Sequence, residues 1–147
     1  MTIKEARSLI KEKSNHLVGK TATKDQFMDN LSKIVCSIVK EENGIKISTT
    51  KNGITVNSSY KIPQTGDKIY QSIVFSVGPV YKKEANGLYI LERISLSQLH
   101  FSDQMELETC TGYFRNREIS NQRESIKRRI EYLEKELLER KEELKKY

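Results

Sequence analysis

Apolar and polar positions change period twice along the chain, and each change marks a different kind of element. Thr2 and Glu5 are spaced as a capping box, and Ile3, Ala6, Leu9 and Ile10 follow on one helical face. This predicts a first helix to about Lys13, then a connector from Ser14 to Thr21 containing Gly19. Thr23 and Gln26 form a second capping box, ahead of Phe27, Met28, Leu31, Ile34, Val35, Ile38 and Val39 at helical spacing. The second helix should end near Glu42, because Asn43-Gly44 suits a left-handed C-terminal cap.

From Ile45 the pattern alternates. Ile45, Ile47 and Thr49 face one way, then Asn52-Gly53, then Ile54, Val56, Ser58 and Tyr60. Asn-Gly between alternating runs predicts a hairpin whose two turn residues take positive φ. Pro63 to Asp67 predicts a second turn. Ile69 to Val77 is apolar on both faces around Ile73, Val74 and Phe75, as expected of a central strand, and Gly78-Pro79 should interrupt it. Asn86-Gly87 marks a further reversal, with a fourth strand over Leu88 to Leu96. In residues 97–114, Leu99, Phe101, Met105 and Leu107 allow either a fifth strand or a packed loop.

The last stretch returns to a helical period, but a narrower one. Ile119, Ile126, Ile130, Leu133, Leu137 and Leu144 recur in alternating steps of the kind a coiled-coil seam requires. With Leu133 at d, Ile119 and Ile126 also fall at d, and Ile130, Leu137 and Leu144 at a. Arg123 at a and Arg140 at d weaken the seam, each laying its methylene stem on it while keeping its charge in water. In a parallel pair Arg129 would face Glu134 and Glu136 would face Lys141, so the flanking charges favour a parallel homodimer. Each such pair contributes only about 0.2–1 kcal/mol, so the charges select a partner more than they hold it. The alternative is an antiparallel fold-back onto the first or second helix. The expected architecture is therefore α+β: two N-terminal helices, an antiparallel four- to five-stranded sheet built from hairpins, and a long C-terminal coiled-coil helix. Its expected parts are a small α+β domain over 1–114 and a basic neck with the coiled-coil helix over 115–147.

Charge sharpens this division. The chain of 147 residues carries a net charge of +6. Residues 23–114 hold ten basic and ten acidic groups. Residues 115–129 hold six basic groups (Arg115, Arg117, Arg123, Lys127, Arg128, Arg129) against Glu118 and Glu124. Such a focus attracts phosphate or an acidic protein surface, or is simply a solvated helix face. A basic segment running into a coiled coil resembles the basic-zipper proteins, and Asn121 and Arg129 stand at that family's Asn-x7-Arg spacing. The register argues against membership: Ile126 and Ile130 already belong to the seam, inside the would-be reading region, and Glu131 and Lys145 occupy leucine positions of the repeat through Leu138. Phosphate contact without base readout remains open to the six neck residues. Tyr60, Tyr70, Tyr81 and Tyr89 could stack bases if they faced outward; sheet packing is the expected role.

Candidate chemistry is sparse. The glycines form neither GxGxxG nor a phosphate loop, and no GxSxG elbow is present. His100 lies near Asp103, Glu106 and Glu108, without the spacing of a metal signature, and His16 stands alone in the connector. Asp67 and Glu92 on successive strands resemble the carboxylate pair of metal-dependent nucleases, but Ile94 stands where that pattern places a Lys. Cys36 and Cys110 have no CxxC spacing, and Cys36, in the apolar stretch of the second helix, is expected to be buried.

No catalytic residue, cofactor or metal is therefore expected. Met1 to Lys13 lacks the apolar core of a secretory leader, and no stretch reaches a membrane span, so a cytoplasmic protein is the simplest expectation. The expected function is a non-enzymatic, homodimeric adaptor or inhibitor that occupies the surface of an unidentified protein partner. The richness in Lys, Ile and Asn suits an AT-rich coding sequence, compatible with a phage or mobile-element origin. Nucleic-acid binding through the neck is the alternative.

Overall fold

A computed structural model describes residues 1–98 and 101–147. Leu99 and His100, and with them only those parts of the strand-or-loop and metal-ligand expectations that fall on these two residues, lie outside the described residues. The described elements are α1 (Ile3–Ser14), β1 (Thr21–Ala22), α2 (Lys24–Ile38), β2 (Ile45–Thr50), β3 (Gly53–Lys61), β4 (Ile69–Lys83), β5 (Tyr89–Ser97) and α3 (Leu107–Leu144). The class is α+β, with an antiparallel five-stranded sheet in the order β1-β5-β4-β3-β2.

α1 and α2 start where their capping residues stand. The Thr2 hydroxyl accepts the Glu5 N–H at 3.1 Å. At Thr23 both bonds of the capping box form, 3.2 Å from the Gln26 N–H and 3.0 Å to the Gln26 side chain. α2 buries Phe27, Met28, Leu31 and Val35 against the sheet. It ends earlier than its apolar spacing implies. Val39 donates the last helical bond to Val35 and turns extended to place its own side chain in the core at 2% exposure. Asn43 and Gly44 do take positive φ, 55° and 84°, but as the turn into β2 rather than as the helix cap.

On β3, Ile54, Val56, Ser58 and Tyr60 alternate inward and are buried. β4 is the central strand. A bulge beside Val56 and Asn57 leaves Val74 unopposed, so Val74 and Phe75 are both fully buried although adjacent. The expected break at Gly78-Pro79 does not occur, and β4 runs through to Lys83. β3 begins at Gly53 opposite this region, so past Val77 β4 has a neighbour only on the β5 side. A proline without an N–H is tolerated where no second neighbour exists.

The Asn52-Gly53 hairpin forms, but for another reason than positive φ. Its two-residue turn is Lys51-Asn52, closed by the Thr50–Gly53 pair, and neither Asn52 nor Gly53 has positive φ. The Thr50 hydroxyl accepts the Asn52 N–H and donates to the Gly53 carbonyl. Gly53 is required by proximity: a Cβ there would lie 2.6 Å from the Val77 carbonyl oxygen. Positive φ appears instead at the β4–β5 turn, 63° at Asn86 and 73° at Gly87.

The fifth strand comes from the N-terminal connector. Gly19, at φ 85°, lets the chain turn so that its N–H reaches the Leu91 carbonyl at 2.8 Å, and Thr21-Ala22 then pair with Ile90 and Tyr89. Residues 101–106 pack as a loop over the start of α1, through Ile3 N–H to Met105 O and Lys4 N–H to Asp103 O. Phe101 and Met105 lie against the core.

Candidate functional site

α3 has two parts with different surroundings. Leu107, Cys110 and Phe114 recur at helical spacing and are buried against the sheet domain. Ile119 is the last seam residue to touch the core. Beyond it the seam is uncovered: exposure is 60% at Ile126, 50% at Ile130, 49% at Leu133, 55% at Leu137 and 73% at Leu144. The expected alternative, a fold-back of this helix onto α1 or α2, is not adopted. At 38 residues α3 is about 57 Å long at 1.5 Å per residue, so most of it extends past the sheet. The helix starts at Leu107, ahead of the charge shift at 115. The Leu107, Cys110, Phe114 spacing was the available signal for that start.

At about 100° per residue the six seam positions share an arc of roughly 60°. The neck residues do not form one face. Arg123 lies in the seam at a and Arg115 at its edge, Lys127 and Arg129 flank it on opposite sides, and Arg117 and Arg128 point to the back of the helix. All six are exposed. Arg128 lies 3.8 Å from Glu124 on its own helix. Arg140 is held 3.1 Å from Glu143.

A groove of about 450 Å³ opens where α3 leaves the sheet, lined by Tyr60, Ile73, Phe101, Phe114, Arg117 and Glu118 among others. The strand tyrosines pack rather than project. Tyr60 stacks on Tyr70 with ring centroids 5.8 Å apart, and Tyr81 sits between Phe27 and Tyr89, 5.7 Å from each.

The acidic residues that follow His100 in sequence have partners of their own. Asp103 pairs with Arg7 at 3.0 Å. Glu106 and Glu108 receive the Met1 ammonium at 2.7 and 3.2 Å. These bonds hold the ammonium protonated to higher pH than usual, Glu106 contributing most. Glu108 stays ionised to lower pH than usual, first through its own backbone N–H at the helix start and then through that ammonium. Asp67 precedes β4 at one end, and Glu92 sits at the β5 bulge opposite Val80 and Tyr81, so the nuclease-like pair is not brought together. His16 is exposed. Among the described residues, no three His, Cys, Asp or Glu side chains converge as a metal site.

Cys36, expected in the core, is exposed. The buried stripe of α2 runs through Phe27, Leu31 and Val35, and Cys36 is one residue past its edge. Cys110 is the buried cysteine, donating to the Glu106 carbonyl at 3.3 Å. Burial, reinforced by Glu108, pushes its pKa up to about 11. No described helix is long and apolar enough to cross a membrane. No family model, curated protein or solved structure matches the chain.

Proposed function

We propose that this protein is a non-enzymatic homodimer that acts as an adaptor or inhibitor by occupying a partner macromolecule's surface. The uncovered seam from Ile126 to Leu144, on a helix rooted in the sheet domain at its other end, carries the reading. A narrow apolar stripe on a solvated helix is stabilised by pairing with another stripe of the same period. The second copy fits best because its flanking charges complement this chain's in parallel register, Arg129 to Glu134 and Glu136 to Lys141. The seam alone is marginal with Arg123 and Arg140 in it, so the root of α3 and the sheet around it belong to the assembly as well.

Light scattering on the full chain at micromolar concentration tests the dimer. The expected mass is that of two chains, falling to one when Leu133 and Leu137 are both replaced by Asn. A monomeric wild type would overturn the reading. The neck residues point around the helix rather than along one face, which disfavours nucleic acid. Salt-sensitive binding of generic duplex DNA would reverse that preference.

A further inference from the structure

The two arginines in the seam are not equivalent. Arg140 has Glu136 and Glu143 within one helical turn and is paired to the second at 3.1 Å. Arg123 has Ile119, Ser120, Ile126 and Lys127 at the same offsets and therefore no carboxylate on its own helix face. In parallel register the partner does not supply one either. Arg123 meets Arg123 of the second copy at the a layer, and Gln122 at g faces Lys127 at e. The nearest acids stand outside the layer. Glu124 is turned to the back of the helix toward Arg128, and Glu131 forms the outer wall of the open slot lined by Arg123, Ile126, Lys127 and Ile130. Glu118 lies at the sheet groove beside Arg117.

We propose that the dimer's Arg123 layer is a binding site for a polyvalent oxyanion such as phosphate, formed only when two copies pair; this rests on the dimer reading above. Two guanidiniums and two ammoniums then converge between apolar layers made by Ile119 and Ile126. Left empty, such a layer opposes dimerisation by like-charge repulsion, more strongly as water is excluded. A tetrahedral oxyanion relieves it, since each planar guanidinium offers paired N–H donors that match two oxygens. Inorganic phosphate and a phosphorylated partner share this chemistry. The site makes dimer strength depend on the anion present.

Sedimentation equilibrium of the full chain in sodium chloride and in sodium phosphate at equal ionic strength tests this. At phosphate ten times its dissociation constant, mass action should tighten the dimer about tenfold. Arg123→Leu should dimerise more tightly than wild type in chloride and show no phosphate effect. Arg140→Leu should keep the phosphate effect, because its partner Glu143 already neutralises that layer. Titration calorimetry should give one phosphate per two chains for wild type. A wild-type dimer of equal strength in both salts would overturn the anion site while leaving the dimer standing. A wild type that stays monomeric in both salts removes the dimer, and the site with it. Phosphorylated peptides that reproduce the phosphate effect at lower concentration would place the natural source of the anion on a partner protein.

Discussion

A Cβ on Gly44 would lie 2.7 Å from the side chain of Thr111, so the root of α3 meets the sheet at a point where only glycine fits. Gly44 also holds φ at 84°, a conformation that strains any other residue, and its carbonyl accepts the Ser59 N–H. Gly44→Ala should therefore destabilise the fold by about 2–3 kcal/mol, combining backbone strain with a steric clash. Thr111→Ala should recover only the part of the steric cost that falls on Thr111, because the added Cβ would still lie 2.8 Å from the Ser59 carbonyl oxygen, and should leave the backbone part. Urea unfolding of the two single variants and the double variant reads both contributions. Additive effects would show that the two sites do not touch in solution.

Arg7 ties α1 to the end of β5 and the loop after it, 89 to 96 residues further along the chain. Its guanidinium donates to Gln98 Oε1 at 3.0 Å, Asp103 Oδ1 at 3.0 Å and the Leu96 carbonyl at 2.9 Å. With the side chain at 26% exposure, these charge-assisted bonds are worth more than a surface pair. Arg7→Ala should cost about 2 kcal/mol in chemical denaturation. Arg7→Lys should recover little, because one ammonium cannot span the fork. A fully restored midpoint with lysine would show that charge rather than geometry holds α1 to β5.

The two cysteines should differ sharply in reactivity. Cys36 is exposed and should react with a maleimide or iodoacetamide in the folded protein, whereas Cys110 should be protected until unfolding. With its pKa pushed up to about 11, only about one Cys110 thiol in a thousand is ionised at pH 8, on top of its burial. The same shift has a stability consequence. Above the ordinary thiol pKa the unfolded chain loses this proton while the folded chain keeps it. Stability from Cys110 is thus intact below about pH 9 and falls by up to about 1.4 kcal/mol per pH unit towards 11. Cys110→Ala should remove that slope, measured as the difference between two pH–stability curves. Parallel curves would refute it.

Periodicity made most of the framework legible: the N-caps at Thr2 and Thr23, the order of the four longer strands, the centrality of β4 and the long terminal helix. It failed where tertiary contact set the outcome. Val39 leaves α2 because the core accepts its side chain, and Cys36 stays out because the buried stripe passes one residue away. Two residues of a connector complete the sheet, too few for any pattern. Pro79 reads as a break in sequence and is harmless beside a missing neighbour. Gly53 was a correct hairpin marker resting on the wrong cause, since a close carbonyl and not φ demands it. The seam residues were visible as a stripe. Their exposure was not, because a stripe packed within the chain and one left open have the same spacing.

Leu137 and Leu138 separate register from hydrophobicity. They are adjacent, chemically identical and almost equally exposed, at 55% and 59%. Only their angles differ: Leu137 is at a in the seam, and Leu138 lies about 100° further round. If the stripe is a dimer seam, Leu137→Gln should dissociate the dimer and Leu138→Gln should leave its mass unchanged. A buried leucine replaced by a polar residue in two chains at once loses a few kcal/mol, ample for a weak zipper. A surface leucine outside the seam loses almost nothing. Equal dissociation by both substitutions would mean a broad apolar face rather than a heptad seam. Dissociation by Leu138→Gln alone would move the contact to another face, and with it the Arg129–Glu134 and Glu136–Lys141 pairings on which the parallel orientation depends.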